Sequence, residues 1–273
     1  MIKKLSFITL LVIIGCSKND TEELSENLNR NQFQEVKANL SGVSFSNDLT
    51  PKGDLNIIEY LYYYNGGGVA LGDINNDGLD DIYFTANQKA DQLYLNKGNL
   101  QFENITLKSN ISQQDSWSTG VTMVDINNDG LLDIYVCKVG KYKSLQSKNE
   151  LYINQGDATF KEQAEEYGLD FSGFSTQASF FDYDKDGDMD MYLLNHSVHS
   201  TYSYGNKDLR EKSDVLAGDI LFENQSEKGV QKFMDVTKKA GIYNSALGYG
   251  LAITTSDVNK DGFIDIYVGN DFH

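Results

Sequence analysis

The residues best placed to do chemistry in this chain form four copies of one short acidic loop. The first runs Asp73-Ile-Asn75-Asn-Asp77-Gly78-Leu79-Asp-Asp81, and the second Asp125-Ile-Asn127-Asn-Asp129-Gly130-Leu131-Leu-Asp133. The third is Asp182-Tyr-Asp184-Lys-Asp186-Gly187-Asp188-Met-Asp190, and the fourth Asp257-Val-Asn259-Lys-Asp261-Gly262-Phe263-Ile-Asp265. Calcium takes six to eight hard oxygen ligands at about 2.3–2.6 Å. Side-chain oxygens at loop positions 1, 3 and 5 converge on one ion if the chain turns sharply at position 6. That position is glycine in every copy, which suits a backbone conformation costly for other residues. Position 7 (Leu79, Leu131, Asp188, Phe263) would add its backbone carbonyl, and position 9 a carboxylate. Up to four calcium ions are expected, one per loop. Magnesium fits less well, because it demands a tight octahedron and keeps several waters.

The spacing also says what must hold these loops. An EF-hand shares the opening of the motif but needs a Glu at loop position 12. Those positions are Phe84, Val136, Leu193 and Val268. The flanks disagree with helices as well. Asp81-Ile-Tyr-Phe, Asp133-Ile-Tyr-Val, Asp190-Met-Tyr-Leu and Asp265-Ile-Tyr-Val are β-branched or aromatic runs. Gly68-Val-Ala-Leu, Gly120-Val-Thr-Met and Gly250-Leu-Ala-Ile precede three of the loops and also predict strands. Each loop therefore joins two strands of a hairpin, and the EF-hand is rejected.

Two further segments recur. Gln92-Leu-Tyr-Leu-Asn-Lys-Gly with Phe102-Glu-Asn-Ile-Thr parallels Glu150-Leu-Tyr-Ile-Asn-Gln-Gly with Phe160-Lys-Glu-Gln-Ala. Ile220-Leu-Phe-Glu-Asn with Phe233-Met-Asp-Val-Thr is a third version. Each pair predicts two more strands, so a repeat holds about four, and the repeats fall every 52 to 75 residues. That is the arithmetic of a β-propeller blade. The loop followed by L-Y-x-N-x-G and F-x-x-[VI]-T resembles the FG-GAP/VCBS repeat of integrin-type propellers. The stretch from Asn56 through Tyr60-Leu-Tyr62-Tyr-Tyr64 to Asp73 resembles the bacterial ASPIC/UnbV-associated, cartilage-acidic-protein-like branch.

The resemblance implies an all-β fold of four-stranded blades over residues 41–273, with calcium ligands at positions 1, 3, 5, 7 and 9 of each loop. It also implies a ring of seven blades. Three repeats and half a fourth are present, so the expectation is an incomplete fragment of such a ring. A closed four-bladed ring, with residues 41–64 supplying the missing strands, is the alternative.

The chain begins with Lys3 and Lys4, then an apolar run from Leu5 to Ile14, then Gly15-Cys16. Ten apolar residues cannot span roughly 30 Å of hydrocarbon, so a secretory signal over residues 1–15 is expected. Ile13-Ile14-Gly15-Cys16 resembles a lipobox, which implies acylation of Cys16. The polar, Asn- and Glu-rich residues that follow predict a flexible tether over 16–40. The acidic cluster Asp20, Glu22 and Glu23 resembles an export signal, which implies an outer-membrane lipoprotein at the cell surface or periplasmic face. Cys137 is then the one remaining thiol, and no intrachain disulfide is expected.

Lys and Arg number 23 against 40 Asp and Glu, giving a net charge of −17. With no segregated basic patch, nucleic acid is excluded as a partner; Lys138 to Lys148 predicts a mixed polar loop. Fifteen acidic residues lie inside the four loops. Calcium explains them better than a glycosidase carboxylate pair, because a spacing that recurs is not that of a unique active site. His196 and His199 could line a central opening, although a polar inter-strand loop explains them more simply. Strand packing likewise explains Tyr60 and Tyr62 to Tyr64 better than sugar stacking. No catalytic residues are assigned. The expected role is non-enzymatic binding, adhesion or scaffolding toward an extracellular glycan or protein. A polysaccharide-acting enzyme and an accessory subunit of an outer-membrane uptake complex are the alternatives.

Overall fold

The computed structural model describes residues 33–198, 209–227 and 230–271. The chain divides into two units, 1–37 and 38–273. In the first, residues 33–37 are exposed and irregular; the signal segment and Cys16 lie outside the described residues, as does His199. In the second unit, β1 (Val69–Gly72), β2 (Asp81–Phe84), β3 (Gln92–Asn96) and β4 (Phe102–Asn104) pair in sequence order as one antiparallel sheet. A second sheet repeats this with β5 (Ser118–Val124), β6 (Asp133–Lys138), β7 (Glu150–Asn154) and β8 (Phe160–Glu162). A third does so with β9 (Ser175–Phe181), β10 (Asp190–Asn195), β11 (Ile220–Asn224) and β12 (Phe233–Asp235). Finally, β13 (Gly250–Ser256) and β14 (Asp265–Asn270) form a two-stranded sheet. Two single-turn helices, α1 (Ala38–Ser41) and α2 (Ala164–Tyr167), accompany the strands. These are β-propeller blades, as the repeat arithmetic predicts.

Successive blades meet through their first strands: β1 lies beside β5, β5 beside β9, and β9 beside β13. Glycine permits that approach. A Cβ on Gly68 would stand 2.7 Å from the carbonyl oxygen of Thr119, and one on Gly120 would collide with the carbonyl of Thr176. The second strands are sandwiched between blades. Side chains alternate across a strand, so Ile134 and Val136 of β6 pack toward the first blade, against Tyr83 and Leu93, together with Val121 of their own blade. Tyr135 and Cys137 pack the other way, against Met191, Leu193 and Phe222 of the third blade. All six residues of β6 are buried, as are those of β10. That explains why the D-I-Y-V runs are apolar without alternation. Full burial of each such Leu, Ile or Val contributes about 1.5–3 kcal/mol. The residues of β14, by contrast, are exposed or half-buried, and Tyr267, the counterpart of buried Tyr135, is 72% exposed.

Three expectations are corrected. Residues 41–64 form no strand, and an isolated bridge between Lys52 and Leu55 is their one pairing. They therefore do not complete the β13–β14 sheet, and the four-bladed alternative loses its missing strands. Tyr60 and Tyr62 to Tyr64 lie in turns rather than in a strand. Tyr60, Tyr62 and Tyr63 are buried there because they pack on Trp117, Val139, Phe174 and Tyr249. Lys138 is not in a solvated loop; it closes β6, is buried, and its Nζ lies 2.7 Å from Glu150. Burial also pushes the Cys137 thiol well above its usual range, and this cysteine is unpaired.

Candidate metal centre

Each acidic loop connects the first two strands of a blade, and strand register fixes its ends. The residue before position 1 pairs with position 9 in every case: Gly72 with Asp81, Val124 with Asp133, Phe181 with Asp190, and Ser256 with Asp265. Between these posts the backbone adopts left-handed φ twice. Position 4 has φ 57°, 56°, 67° and 63° at Asn76, Asn128, Lys185 and Lys260, and the position 6 glycines have 86°, 87°, 98° and 84°. The Gly at position 6 thus has the conformational role expected of it.

The turn aims backbone N–H groups inward at the carboxylates. In the first loop Asp73 accepts from the amides of Asp77 (3.1 Å) and Gly78 (2.7 Å). Asn75 Oδ1 accepts from Asp77 (3.1 Å), and Asp77 Oδ1 from Leu79 (2.9 Å). The second and fourth loops repeat these bonds at Asp125, Asn127 and Asp129, and at Asp257, Asn259 and Asp261. In the third, Asp182 accepts from Asp186 and Gly187, and Asp186 from Asp188. Backbone N–H groups thus hold positions 1 and 5 in all four loops, and position 3 in the first, second and fourth.

Position 9 does more than donate an oxygen to such a site. In the first three loops one carboxylate oxygen accepts the amide of position 2: Ile74 to Asp81 at 3.0 Å, Ile126 to Asp133 at 3.2 Å and Tyr183 to Asp190 at 2.8 Å. The other oxygen accepts the amide of Asn96, Asn154 or Asn224, the Asn of L-Y-x-N and its equivalent, at 2.7–2.8 Å. These three aspartates are buried. Burial pushes Asp133 and Asp190 up to about 7, with the backbone N–H bonds opposing it and the neighbouring loop carboxylates reinforcing it. Asp265 keeps the bond from Val258 (2.9 Å) but is exposed, with no third strand beside it.

The third loop is the most acidic, with Asp at positions 1, 3, 5, 7 and 9. Ligand oxygens of Asp182, Asp184 and Asp190 all lie within 4.8 Å of one another. Asp188 Oδ1 is buried without a hydrogen-bond partner, and burial followed by the nearby carboxylates raises Asp188 to about 6. Close carboxylates and an orphaned buried oxygen fit a hard divalent cation. At position 7 the first and fourth loops instead carry the side chains of Leu79 and Phe263, partly exposed and outside the set of oxygen donors.

A second polar constellation recurs that the motif reading overlooked. Asp91, Asn149 and Asp219 each sit two residues before L-Y or L-F. Each accepts the amide of a residue ending or following the second strand: Ala86, Lys138 and Asn195, at 2.8, 2.7 and 2.9 Å. Each also bonds the tyrosine of that strand: Tyr83, Tyr135 or Tyr192. Asp91 further accepts from Ser118 Oγ (2.9 Å), and Asn149 donates to Ser175 Oγ (3.0 Å), so these pins reach into the next blade. An Asp or Asn at a fixed offset before L-Y was the available signal.

His196 is buried, with its Nε2 2.8 Å from the Tyr60 hydroxyl and its Nδ1 3.1 Å from that of Thr176. It approaches none of the acidic loops, and burial holds its pKa down at about 3.

The FG-GAP-like repeat family matches residues 73–136 and 142–193, which contain the first three acidic loops. Among curated proteins no match to the chain is found.

Proposed function

We propose that this chain, a carrier of FG-GAP-like repeats, is a calcium-dependent binding protein displayed by a bacterium and tethered through acylated Cys16. In this reading it belongs to the ASPIC/UnbV-associated branch, and it acts by binding an extracellular glycan or protein rather than by catalysis. The observation that carries the calcium assignment is the third loop, where the carboxylates of Asp182, Asp184 and Asp190 lie close together and a buried side-chain oxygen of Asp188 has no donor. Loops one, two and four have the same backbone frame with fewer charges. Calcium would be held by the side chains at positions 1, 3, 5 and 9 with the carbonyl at position 7, and would supply the positive charge those oxygens lack. Its binding energy is then folding energy, because the loop ligands converge only when the hairpin is formed.

A thermal melt of the full chain tests this in excess calcium, in magnesium and in chelator. At one hundred times the dissociation constant, one site contributes about 2.7 kcal/mol, or roughly 5–10 °C in a domain of this size. A rise of that order with calcium and little with magnesium is the expected outcome. A midpoint that ignores calcium would sink the assignment. Acylation is checked by the mass of the mature N-terminal peptide and its loss on Cys16→Ala.

A further inference from the structure

The first strands of the blades converge on a cleft of about 590 Å³ that draws on all four repeats. Gly67 and Gly68 come from the first blade's edge, Thr119 and Gly120 from β5, Thr176 and Gln177 from β9, and Leu251 to Ile253 from β13. Its floor is the aromatic group that corrected the strand expectation above: Tyr60, Tyr62, Trp117 and His196. Among the described residues, no side chain lining this cleft is Asp, Glu, Lys or Arg, in a chain of net charge −17. The polar groups present are hydroxyls, carboxamides and one imidazole, and the hydroxyls and carboxamides can meet both hydrogen-bond donors and acceptors. The imidazole is held neutral by burial, with both ring nitrogens within hydrogen-bond distance of hydroxyls.

The chemistry of a ligand follows by exclusion. Among the described lining residues an anion would find no cation, and an ammonium no carboxylate. An aromatic cage for a quaternary amine needs open ring faces. These rings close on each other instead. Tyr60 and Trp117 lie 5.4 Å apart at 83°, and Tyr62 and His196 4.8 Å apart at 83°. They form a solid apolar floor beneath neutral polar walls. We infer that this cleft binds a neutral, polyhydroxylated ligand, a sugar unit without carboxylate, sulfate or amine. Its hydroxyls match a lining that both donates and accepts, and its C–H groups meet the accessible apolar side chains of Leu251 to Ile253. The inference deepens the binding role proposed above and rests on it.

The test uses the full chain in excess calcium on an array of neutral oligosaccharides of glucose, galactose, mannose, xylose and N-acetylglucosamine. Sulfated and uronate-bearing glycans and a peptide panel serve as controls, and hits are quantified by titration calorimetry. Leu251→Arg places bulk and charge on the cleft from a side chain 42% exposed, and Asn65→Ala removes an exposed lining amide. The expected result is binding of a neutral glycan that Leu251→Arg weakens at least about tenfold, at an unchanged melting point. If Leu251→Arg melts early, a severalfold loss with Asn65→Ala is decisive in its place. Binding confined to charged glycans or peptides, neutral binding indifferent to the decisive variant, or no binding at all each overturns the inference. Calcium melts on the same samples separate the two failures. An absent calcium shift condemns the metal assignment, while absent binding with the shift intact condemns the cleft alone.

Discussion

Asp190 carries two duties with one carboxylate. It clamps the amides of Tyr183 and Asn224, and it completes the oxygen cluster of the third loop. Asp190→Ala should therefore cost more than a lost ligand, because two backbone donors are orphaned. We expect roughly 2–4 kcal/mol in denaturant unfolding with calcium present, and one fewer calcium by calorimetry. Asp182→Ala should remove the same ion at a smaller cost to the apoprotein. Asp91 obeys a different logic. Burial raises it from 3.8 to about 6, chiefly by desolvation and against the pull of Lys138 and the Ala86 amide. The fold thus holds this proton more tightly than the unfolded chain does. Its contribution is fully present below about pH 4 and disappears as pH climbs through 6. Asn149 occupies the equivalent position in the second repeat, bonded to the same kinds of partner. Asp91→Asn should therefore stabilise by about 1–3 kcal/mol above pH 6 and have little benefit at pH 4, as read from melts across that range.

At the level of strands, the tightest constraint is where one blade's first strand passes the next. Gly120→Ala drives a Cβ into the Thr176 carbonyl, a backbone atom that cannot step aside without moving β9. We expect a loss of about 1–3 kcal/mol and a lower urea midpoint. Gly130→Ala acts in open space and is penalised by its φ of 87° alone, so its cost should be near 1 kcal/mol. Hairpins and loops were legible in sequence because all their determinants are neighbours in the chain: an Asp register, a turning glycine, and apolar runs on either side. The pins of Asp91, Asn149 and Asp219 were not, since their partners lie on other strands and their identity alternates between acid and amide. Tyr60 to Tyr64 misled for the opposite reason. A run of aromatics looks like a strand in one dimension, but here it fills space against Trp117, which is distant in sequence. Lys138 was similarly hidden, because only the fold brings Glu150 to its ammonium.

Across the molecule, the acidic loops are not independent. Asn76 of the first donates to the Gly130 carbonyl of the second, and Lys185 of the third lies 3.3 Å over the ring of Phe263 in the fourth. With so many carboxylates in neighbouring loops, the affinity for the proposed calcium would be a property of the whole charge field. Raising ionic strength from 0.01 to 0.15 M shortens the screening length from about 30 to about 8 Å. Apparent calcium affinity should fall by roughly an order of magnitude on a titration series. The pins add a consequence about heredity. Asp91 grips Ser118 and Asn149 grips Ser175, while Asn154 reaches back to the Ile74 carbonyl at 2.8 Å. The segment that duplicates in the gene is therefore out of phase with the segment that is bonded as a body. A blade excised at its sheet boundaries would leave bonds such as Asp91–Ser118 and Asn154–Ile74 without one partner. A deletion of residues 118–174, by contrast, sets Asp91 against Ser175, the serine that Asn149 grips in the intact chain. A cut beside a first strand thus keeps the Asp or Asn pin in register with the serine of the next blade, which a cut at the sheet boundary does not.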